Sequence, residues 1–319
     1  MSATNPRRRR GYLIAALSAA VLSTTAIFIR HLTSAHHLPA LVLAFWRDLF
    51  VVLALASALS LVRPALLRVK RRQLGFLAGY GFVLFLFNSL WTSSVALTGA
   101  ALATVLVYCS TAFSVLLGWW WLAERLSGAK IVAAALTLGG SALVAGALGR
   151  AAARAEMAGV LAGIASGLCY ALYGLLGRAA AQRGLDPWTT LLYTFGMAAF
   201  LLLAVNLFAG PSLPGSASRP SELFALGTSV TGWGFLLALA AGPTLVGFGL
   251  YNVSLGYLPS SVVNLVVTLE PVFTAVTAYL VLGERLTAGQ LAGSALILGG
   301  VLCLRLFDES ASSALVGEV

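Results

Sequence analysis

The chain contains an internal duplication, and this feature constrains its fold more than any other. Residues Leu90–Val144 align without a gap on Leu250–Leu304. The identities include serine, phenylalanine, Glu-Arg-Leu and Leu-Gly-Gly positions, at Ser94/Ser254, Phe113/Phe273, Glu124-Arg125-Leu126/Glu284-Arg285-Leu286 and Leu138-Gly139-Gly140/Leu298-Gly299-Gly300. Because self-similarity at a fixed spacing is the signature of a repeated structural unit, we expect two copies of one unit.

The composition places both copies in a lipid bilayer. Of the 319 residues, 60% are hydrophobic and 9% are charged, a balance that a soluble domain of this length does not carry. A helix needs roughly 20 apolar residues to cross the hydrocarbon core. Ten such segments can be placed, at residues 11–31, 38–62, 74–97, 100–122, 128–148, 157–178, 187–209, 231–256, 260–282 and 288–306. Their apolar runs are continuous rather than alternating, which favours helices over barrel strands and predicts an all-α membrane protein.

Each repeat holds five of these segments. The first repeat covers 11–148 and the second 157–307, with a polar linker at 149–156. A basic segment, 1–10, precedes them, and a small polar tail at 308–319 is predicted to be disordered. Because five is odd, the second copy enters the membrane from the opposite side, so the repeats are predicted to be inverted. Inverted repeats place a substrate site near the bilayer midplane, where the halves meet.

The charge distribution predicts the orientation of the chain. Most of the 20 Lys and Arg residues fall on the side that holds both termini, so both termini are expected in the cytoplasm. The net charge of +10 therefore reflects topology, and no nucleic-acid partner is expected. The three cysteines lack metal-ligand spacing, so neither a metal nor a cofactor is predicted. Gly210–Ser221, the longest aqueous loop, is predicted to be a flexible connector.

A family resemblance follows from three motifs: the Glu-Arg-Leu loops at Glu124 and Glu284, the paired Leu-Gly-Gly runs, and Thr268-Leu269-Glu270-Pro271-Val272. Together they resemble the drug/metabolite transporter (DMT) superfamily, EamA branch. The resemblance implies ten helices in two five-helix repeats and a carrier for amino acids, drugs or other metabolites. Within that branch the chain is similar to bacterial amino-acid exporters of the inner membrane. The acid-proline pair of this motif is present in one repeat alone: the first copy has Ser110-Thr111 where the second has Glu270-Pro271.

Two ionisable residues lie inside the second segment, at Arg47 and Asp48. Charged groups within a membrane are costly, find partners and often mark a transport pathway. Adjacent helical residues point about 100° apart, so each is expected to find its partner on another helix. Two interpretations remain open: a structural ion pair or snorkelling arginine, or direct duty in substrate binding or coupling.

Glu270 is predicted near the middle of the ninth segment, beside Pro271, which would kink the helix. A carboxyl group in a low dielectric can exchange protons near neutral pH, which suggests coupling of export to the proton gradient. The alternative is a permanent ion pair with Arg47 that holds the two repeats together. A Glu270 neutralised in this way would favour the amino-acid exporter, whereas a free Glu270 would favour an exporter of lipophilic cations.

Polar side chains on several segments are predicted to line the substrate cavity. They are Asn88, Trp91, Thr92, Tyr108, Tyr170, Tyr173, Tyr251, Asn252, Asn264 and Thr268. Tyr170 and Tyr173 are three residues apart and are expected to share a helix face. For any single member, hydrogen bonding between helices is the competing interpretation. The eighth segment is rich in helix breakers, so Gly242 and Pro243 are predicted to be hinge or gating positions. Pro271 of the ninth segment is predicted to be a hinge as well.

These features predict a carrier that exports amino acids and related small metabolites by alternating access around a midplane cavity. The alternative is a proton-coupled exporter of drugs or lipophilic cations. An enzyme is not predicted, since neither HExxH nor GxSxG occurs in the sequence. A channel is disfavoured by the lack of a repeated filter motif or charged ring.

Overall fold

The computed structural model describes residues 6–122, 128–146, 154–255, 257, 266, 267 and 269–316. This part of the chain is predominantly helical and contains no strand, so the all-α prediction is confirmed. The α-helices are α1 Pro6–Ala35, α2 Ala40–Val62, α3 Arg71–Thr98, α4 Ala100–Val107, α5 Ser110–Leu122, α6 Gly128–Gly146, α7 Arg154–Gln182, α8 Pro187–Phe208, α9 Val230–Leu239, α10 Gly247–Leu255, α11 Glu270–Thr277 and α12 Ala288–Val316. Short 3-10 helices at Pro64–Leu67, Gly210–Ser212 and Pro220–Phe224 lie in the connections.

Among the described residues, 7 helices are long and apolar enough to cross a membrane. Shorter apolar helices occur at Lys130–Leu143, Glu270–Leu282 and Ala288–Cys303. The long and the shorter apolar helices lie within or overlap the ten segments predicted from the sequence. That all ten cross the membrane stays a prediction. Two ends differ from expectation: α1 begins inside the basic segment, and α12 continues to Val316, into the predicted tail.

Both repeats begin a new helix at the same position. In the first copy α4 ends at Val107 and α5 begins at Ser110, so the single predicted segment 100–122 is two helices. In the second copy a turn at Leu269 precedes α11, which begins at Glu270. Ser110 and Glu270 are equivalent in the alignment of the repeats. A new helix therefore begins at the equivalent residue of each repeat.

The prediction that Glu270 lies in the middle of a helix kinked by Pro271 is wrong. Glu270 is the first residue of α11 and Pro271 is the second. The first N–H groups of a helix have no intrahelical acceptor, so proline is tolerated there without removing a hydrogen bond. Any hinge at Pro271 would arise from the preceding turn rather than from a kink.

The predicted gating segment forms a π-helix, Ala240–Val246, between α9 and α10. Pro243 cannot donate to the Leu239 carbonyl, and the Thr244 hydroxyl donates to that oxygen instead, at 3.0 Å. Wide turns of this kind are rare and frequently occur at functional sites. Gly242 has no neighbour within 4 Å of the position a Cβ would take, so nothing packs closely on it.

The connector that follows α8 is docked on the bundle, so the prediction of a flexible loop is wrong. The Gly215 carbonyl accepts from Leu41 N at 2.8 Å, and Asn206 Oδ1 accepts from Ala217 N at 3.0 Å. Trp46 Nε1 donates to the Leu223 carbonyl at 2.7 Å. These bonds satisfy backbone groups that an exposed loop would leave to water.

The main contacts that helices of the first repeat make with the second repeat have matching contacts made by the equivalent helices of the other repeat. α6 packs on α12 and α2 on α8, each against its own counterpart. The contact of α3 with α7 has its counterpart in the contact of α10 with α1. Likewise, α4 and α5 contact α7, while α11 contacts α1. The duplication in the sequence is thus expressed as a two-fold arrangement of contacts.

The second glycine of each Leu-Gly-Gly run permits the closest approach between α6 and α12. A Cβ at Gly140 would lie 2.6 Å from the Gly293 carbonyl oxygen, and one at Gly300 would lie 2.8 Å from that of Ala133. The first glycines, Gly139 and Gly299, have nothing within 4 Å. Small residues drive helix association in lipid because they let backbones pack directly.

Replacing Gly140 by alanine is expected to lower the thermal unfolding temperature in detergent. The new methyl group meets backbone atoms that cannot rotate away, and overpacking of this kind costs about 1–3 kcal/mol. Gly139→Ala is the matched control, since it adds the same methyl group one residue earlier into open space. Equal unfolding temperatures for the two variants would contradict the close α6–α12 packing.

Candidate functional site

The most buried charges of the described residues form a network between α2 and α3. Arg47 is 3% exposed and Asp48 is 0% exposed. Arg47 Nε donates to Asp48 Oδ1 at 3.1 Å, and Asn88 Nδ2 donates to Asp48 Oδ2 at 2.7 Å. Both carboxylate oxygens are therefore bonded, as a buried charge requires.

The prediction that Arg47 and Asp48 each find a partner on another helix is wrong for Arg47 and right for Asp48. The arginine side chain is long enough to fold back to its neighbour, although the two Cβ atoms point in different directions. Asp48, which is shorter, bonds across to Asn88 on α3. The structure thus assigns Asn88 to a contact between helices.

Several donors around this network have no hydrogen-bond partner within the described part of the chain. They are Arg47 Nη2, Trp91 Nε1 and Thr92 Oγ1, all of them buried. Ser94 Oγ on α3 and Ser294 Oγ on α12 share this property. An unpartnered buried donor is costly, which makes each such group in a folded protein informative.

Glu270 contacts the break between α4 and α5. The Tyr108 hydroxyl lies 3.2 Å from Glu270 Oε2 and 3.4 Å from the Val267 carbonyl oxygen. The predicted ion pair between Glu270 and Arg47 does not form, because Arg47 is engaged by Asp48. Within the described residues Glu270 has no cationic partner. The two helix breaks, one from each repeat, meet at this tyrosine and carboxyl group.

Of the remaining predicted cavity residues, Trp91 and Tyr170 both pack on Phe87, with the Trp91 and Phe87 ring centroids 6.1 Å apart. Tyr173 packs on Tyr80, with ring centroids 4.7 Å apart, and Tyr170 packs on Phe87 at 5.4 Å. Both partners belong to α3, so the two tyrosines contact different turns of that helix. Tyr251 packs beside Ala15 of α1. Asn264 and Thr268 lie outside the described residues, as does the side chain of Asn252.

The described residues also form an apolar groove between α3 and α8. Phe85, Leu201, Ala204, Val205, Phe208 and Ala209 line it. None of the predicted cavity residues is among them, so this groove is not the predicted substrate site. A midplane cavity stays a prediction.

Glu284 performs a role that the sequence did not reveal. Its carboxylate accepts from Ala100 N at 3.0 Å and from Ala101 N at 3.1 Å, and so caps α4 from the other repeat. Arg30 Nε lies 3.5 Å from the same carboxylate. We call this contact of Arg30, Glu284 and the start of α4 the latch. The repeated Glu-Arg-Leu motif was the signal for it, although the equivalent Glu124 lies outside the described residues.

Gly99 fits the latch because its backbone adopts φ +94°, a region that glycine occupies without strain. A Cβ at this position would lie 2.8 Å from Glu284 Oε1. A free helix N-terminus attracts negative charge, since its first N–H groups have no intrahelical acceptor. The latch therefore supplies a carboxylate acceptor to N–H groups at the start of α4 that have no acceptor within the helix.

Comparison with known proteins connects this geometry to a family. The model of the family described as "EamA-like transporter family" matches residues 9–146 and 157–306, one match for each repeat. An uncharacterized transporter of Archaeoglobus fulgidus is 28% identical over 299 residues, which cover 92% of this chain and 96% of that protein. A protein of Salmonella typhimurium named a probable amino-acid metabolite efflux pump is 26% identical over 267 residues, covering 83% of this chain and 85% of its own. A crystal structure superposes with a TM-score of 0.59 at 22% identity over 94% of this chain and 98% of the other, which shows a shared fold.

Glu284→Ala is expected to destabilise the protein by about 1–2 kcal/mol, because capping bonds of this kind are worth that much. The ion pair with Arg30 contributes little of this, since Arg30 is about a third exposed. Thermal unfolding in detergent measures the loss. Glu156→Ala, at an exposed glutamate in the first turn of α7, is the control. A larger loss from Glu156→Ala than from Glu284→Ala would contradict the capping role.

Proposed function

The chain belongs to the EamA-like transporter family, and on that premise we propose that it exports amino acids or related small metabolites across a bacterial inner membrane by alternating access. It is a multi-pass membrane protein of the transporter class. In the proposed topology ten helices cross the bilayer, with both termini in the cytoplasm. The excess of Lys and Arg in the loops on that side supports this orientation.

The observation that carries the proposal is the meeting of the two helix breaks at Tyr108 and Glu270. Transporters built from repeats place their sites at discontinuous helices, where freed backbone and polar side chains can bind a solute. Asp48 and Asn88 add a second polar cluster on neighbouring helices. Most other buried side chains are apolar or carry hydroxyl groups, so these charged and amide groups supply the strongest polar recognition in the described part of the chain.

Alternating access requires contacts that form on one side of the membrane and break in the other state. We assign this role to the latch, which joins the two repeats, since Glu284 belongs to the second repeat and α4 to the first. In the proposed topology it lies on the outer side and closes it. The π-helix around Pro243 and the turn at Leu269 are the segments at which the halves would bend.

The amino-acid substrate class is supported by the Salmonella typhimurium relative, whose name describes a probable amino-acid metabolite efflux pump. An exporter of lipophilic cations is the second candidate. It is favoured by the observation that Arg47 does not neutralise Glu270, which leaves a carboxyl group available to a positively charged solute.

Counterflow in liposomes distinguishes these two candidates. With the purified protein reconstituted, uptake of a labelled neutral amino acid against unlabelled amino acid inside is expected, because a carrier exchanges solute at a saturable site. Unlabelled amino acids should compete, and lipophilic cations should not. Competition by the cations alone would replace the amino-acid exporter by the cation exporter, with Glu270 as its contact.

Proton coupling through Glu270 is tested by Glu270→Gln. The variant keeps an acceptor for the Tyr108 hydroxyl but cannot bind or release a proton, so it should lose pH-gradient-driven transport and retain counterflow. The measurement is accumulation of label with and without an imposed pH gradient. Glu156→Gln serves as the control, since Glu156 is exposed at the start of α7. Undiminished response of Glu270→Gln to the gradient would rule out this coupling.

A further inference from the structure

We propose that Arg47, Trp91 and Thr92 form the subsite that binds the carboxylate of the transported solute. This inference rests on the proposed function and names the chemical group that the site recognises. The substrate class it points to is α-amino acids with a free carboxylate, rather than their esters, amides or the corresponding amines. Each of the three side chains holds a buried donor that lacks an acceptor among the described residues.

Arg47 is held in a fixed position by its neighbours. Asp48 accepts from Nε, and Asn88 holds the other oxygen of that carboxylate, so the guanidinium cannot swing freely. Nη2 is left buried without an acceptor. A purely structural ion pair would leave this donor unsatisfied in the interior, where it destabilises the fold. A ligand oxygen removes that cost when it binds, and guanidinium groups match carboxylates in shape and charge.

The register of the helices brings the three donors to one side of the Asp48–Asn88 bond. α2 and α3 are consecutive, pack on each other and run in opposite directions. Arg47 precedes Asp48 on α2, whereas Trp91 and Thr92 follow Asn88 on α3. Because α2 and α3 are antiparallel, all three donors lie toward the same end of the helix pair, relative to the Asp48–Asn88 bond. Phe45 of α2 and Trp91 of α3 belong to the same hydrophobic cluster.

Thr92 differs from other buried threonines of the helices. Thr104, Thr137 and Thr190 each donate to the carbonyl four residues earlier, at distances of 2.8, 2.9 and 3.0 Å. That bond is the usual way a helix satisfies a threonine hydroxyl. Thr92 is 0% exposed and makes no such bond. Its hydroxyl is therefore available to a group outside its own helix.

The chemistry of the three groups selects an anionic ligand. A guanidinium and an indole donate and do not accept, and a hydroxyl can donate as well. A cation would find no acceptor among them, whereas a carboxylate accepts from all three. The complementary charge lies at Glu270, whose partner Tyr108 packs against the cluster that contains Trp91. Donors for a carboxylate and a carboxyl group for an ammonium together suit a zwitterion.

The first test uses the unmodified protein. In counterflow of a labelled neutral amino acid, the unlabelled amino acid should compete about tenfold or more better than its methyl ester, its amide or the amine without the carboxylate. A site built to pair with a ligand group rejects analogues lacking that group, because its own polar atoms are then left unpaired. Equal competition by the amino acid and its amide would overturn the carboxylate subsite while leaving the exporter in place.

The second test uses variants. Thr92→Val keeps the shape of the side chain and removes the hydroxyl, so the preference for the amino acid over its amide should fall by about threefold to tenfold. Arg47→Gln should abolish the preference for the amino acid over its amide. The amino acid should compete more weakly than with the unmodified protein, and the amide should compete equally well. Thr190→Val is the control, because its hydroxyl is bonded within α8.

The outcomes separate the subsite from the function on which it rests. A loss of affinity for amino acid and amide alike in Thr92→Val would assign Thr92 a structural role and overturn the proposal. If Arg47→Gln does not fold, the ligand series and Thr92→Val still decide the matter. Absence of amino-acid counterflow in the unmodified protein, with counterflow of lipophilic cations, would overturn the proposed function and the carboxylate subsite with it.

Discussion

A membrane interior offers no water to backbone N–H and C=O groups, and the architecture of this protein depends on that constraint. Most described residues satisfy their backbone within a helix. Three interruptions of the helical path are instructive: the turn at Tyr108, the turn at Leu269 and the start of α4 at Ala100. Each of them lies against protein from the other repeat. At the two turns the backbone bonds close locally, whereas at Ala100 a carboxylate of the second repeat supplies the acceptor.

The charges follow the same logic. Asp48 is bonded at both oxygens by Arg47 and Asn88, so α2 and α3 contain a locally compensated cluster. Because Arg47 is used within its own helix, it is not available to Glu270, and the carboxyl group at the second break is contacted by the Tyr108 hydroxyl instead. The protein therefore separates two polar regions, one with unpartnered donors and one with a carboxyl group, which is a suitable arrangement for a solute that carries both charges.

Two contacts between the halves are physically very different. At α6 and α12 the helices touch backbone to backbone at Gly140 and Gly300, and such packing is dense and difficult to rearrange. The latch is instead a set of hydrogen bonds from one carboxylate to the first amides of α4, with Arg30 beside it. Hydrogen bonds of this kind can exchange for bonds to water. In the proposed alternating-access cycle, the halves would stay attached at the glycine contact while they separate at the latch.

The sequence by itself determined the membrane class, the all-α fold, the duplication and the family, because hydropathy and repetition are properties of residue order. It also marked the Leu-Gly-Gly and Glu-Arg-Leu positions, whose repetition reflected packing at Gly140 and capping by Glu284. The pairing of side chains was decided by the tertiary structure alone. Arg47 folds back onto Asp48, and Glu270 begins a helix, since rotamers and the facing of helices depend on neighbours distant in sequence. Periodicity reports which face of a helix is apolar, but it does not report which helix lies opposite, and for that reason the contacts of the candidate residues were not predictable from the sequence.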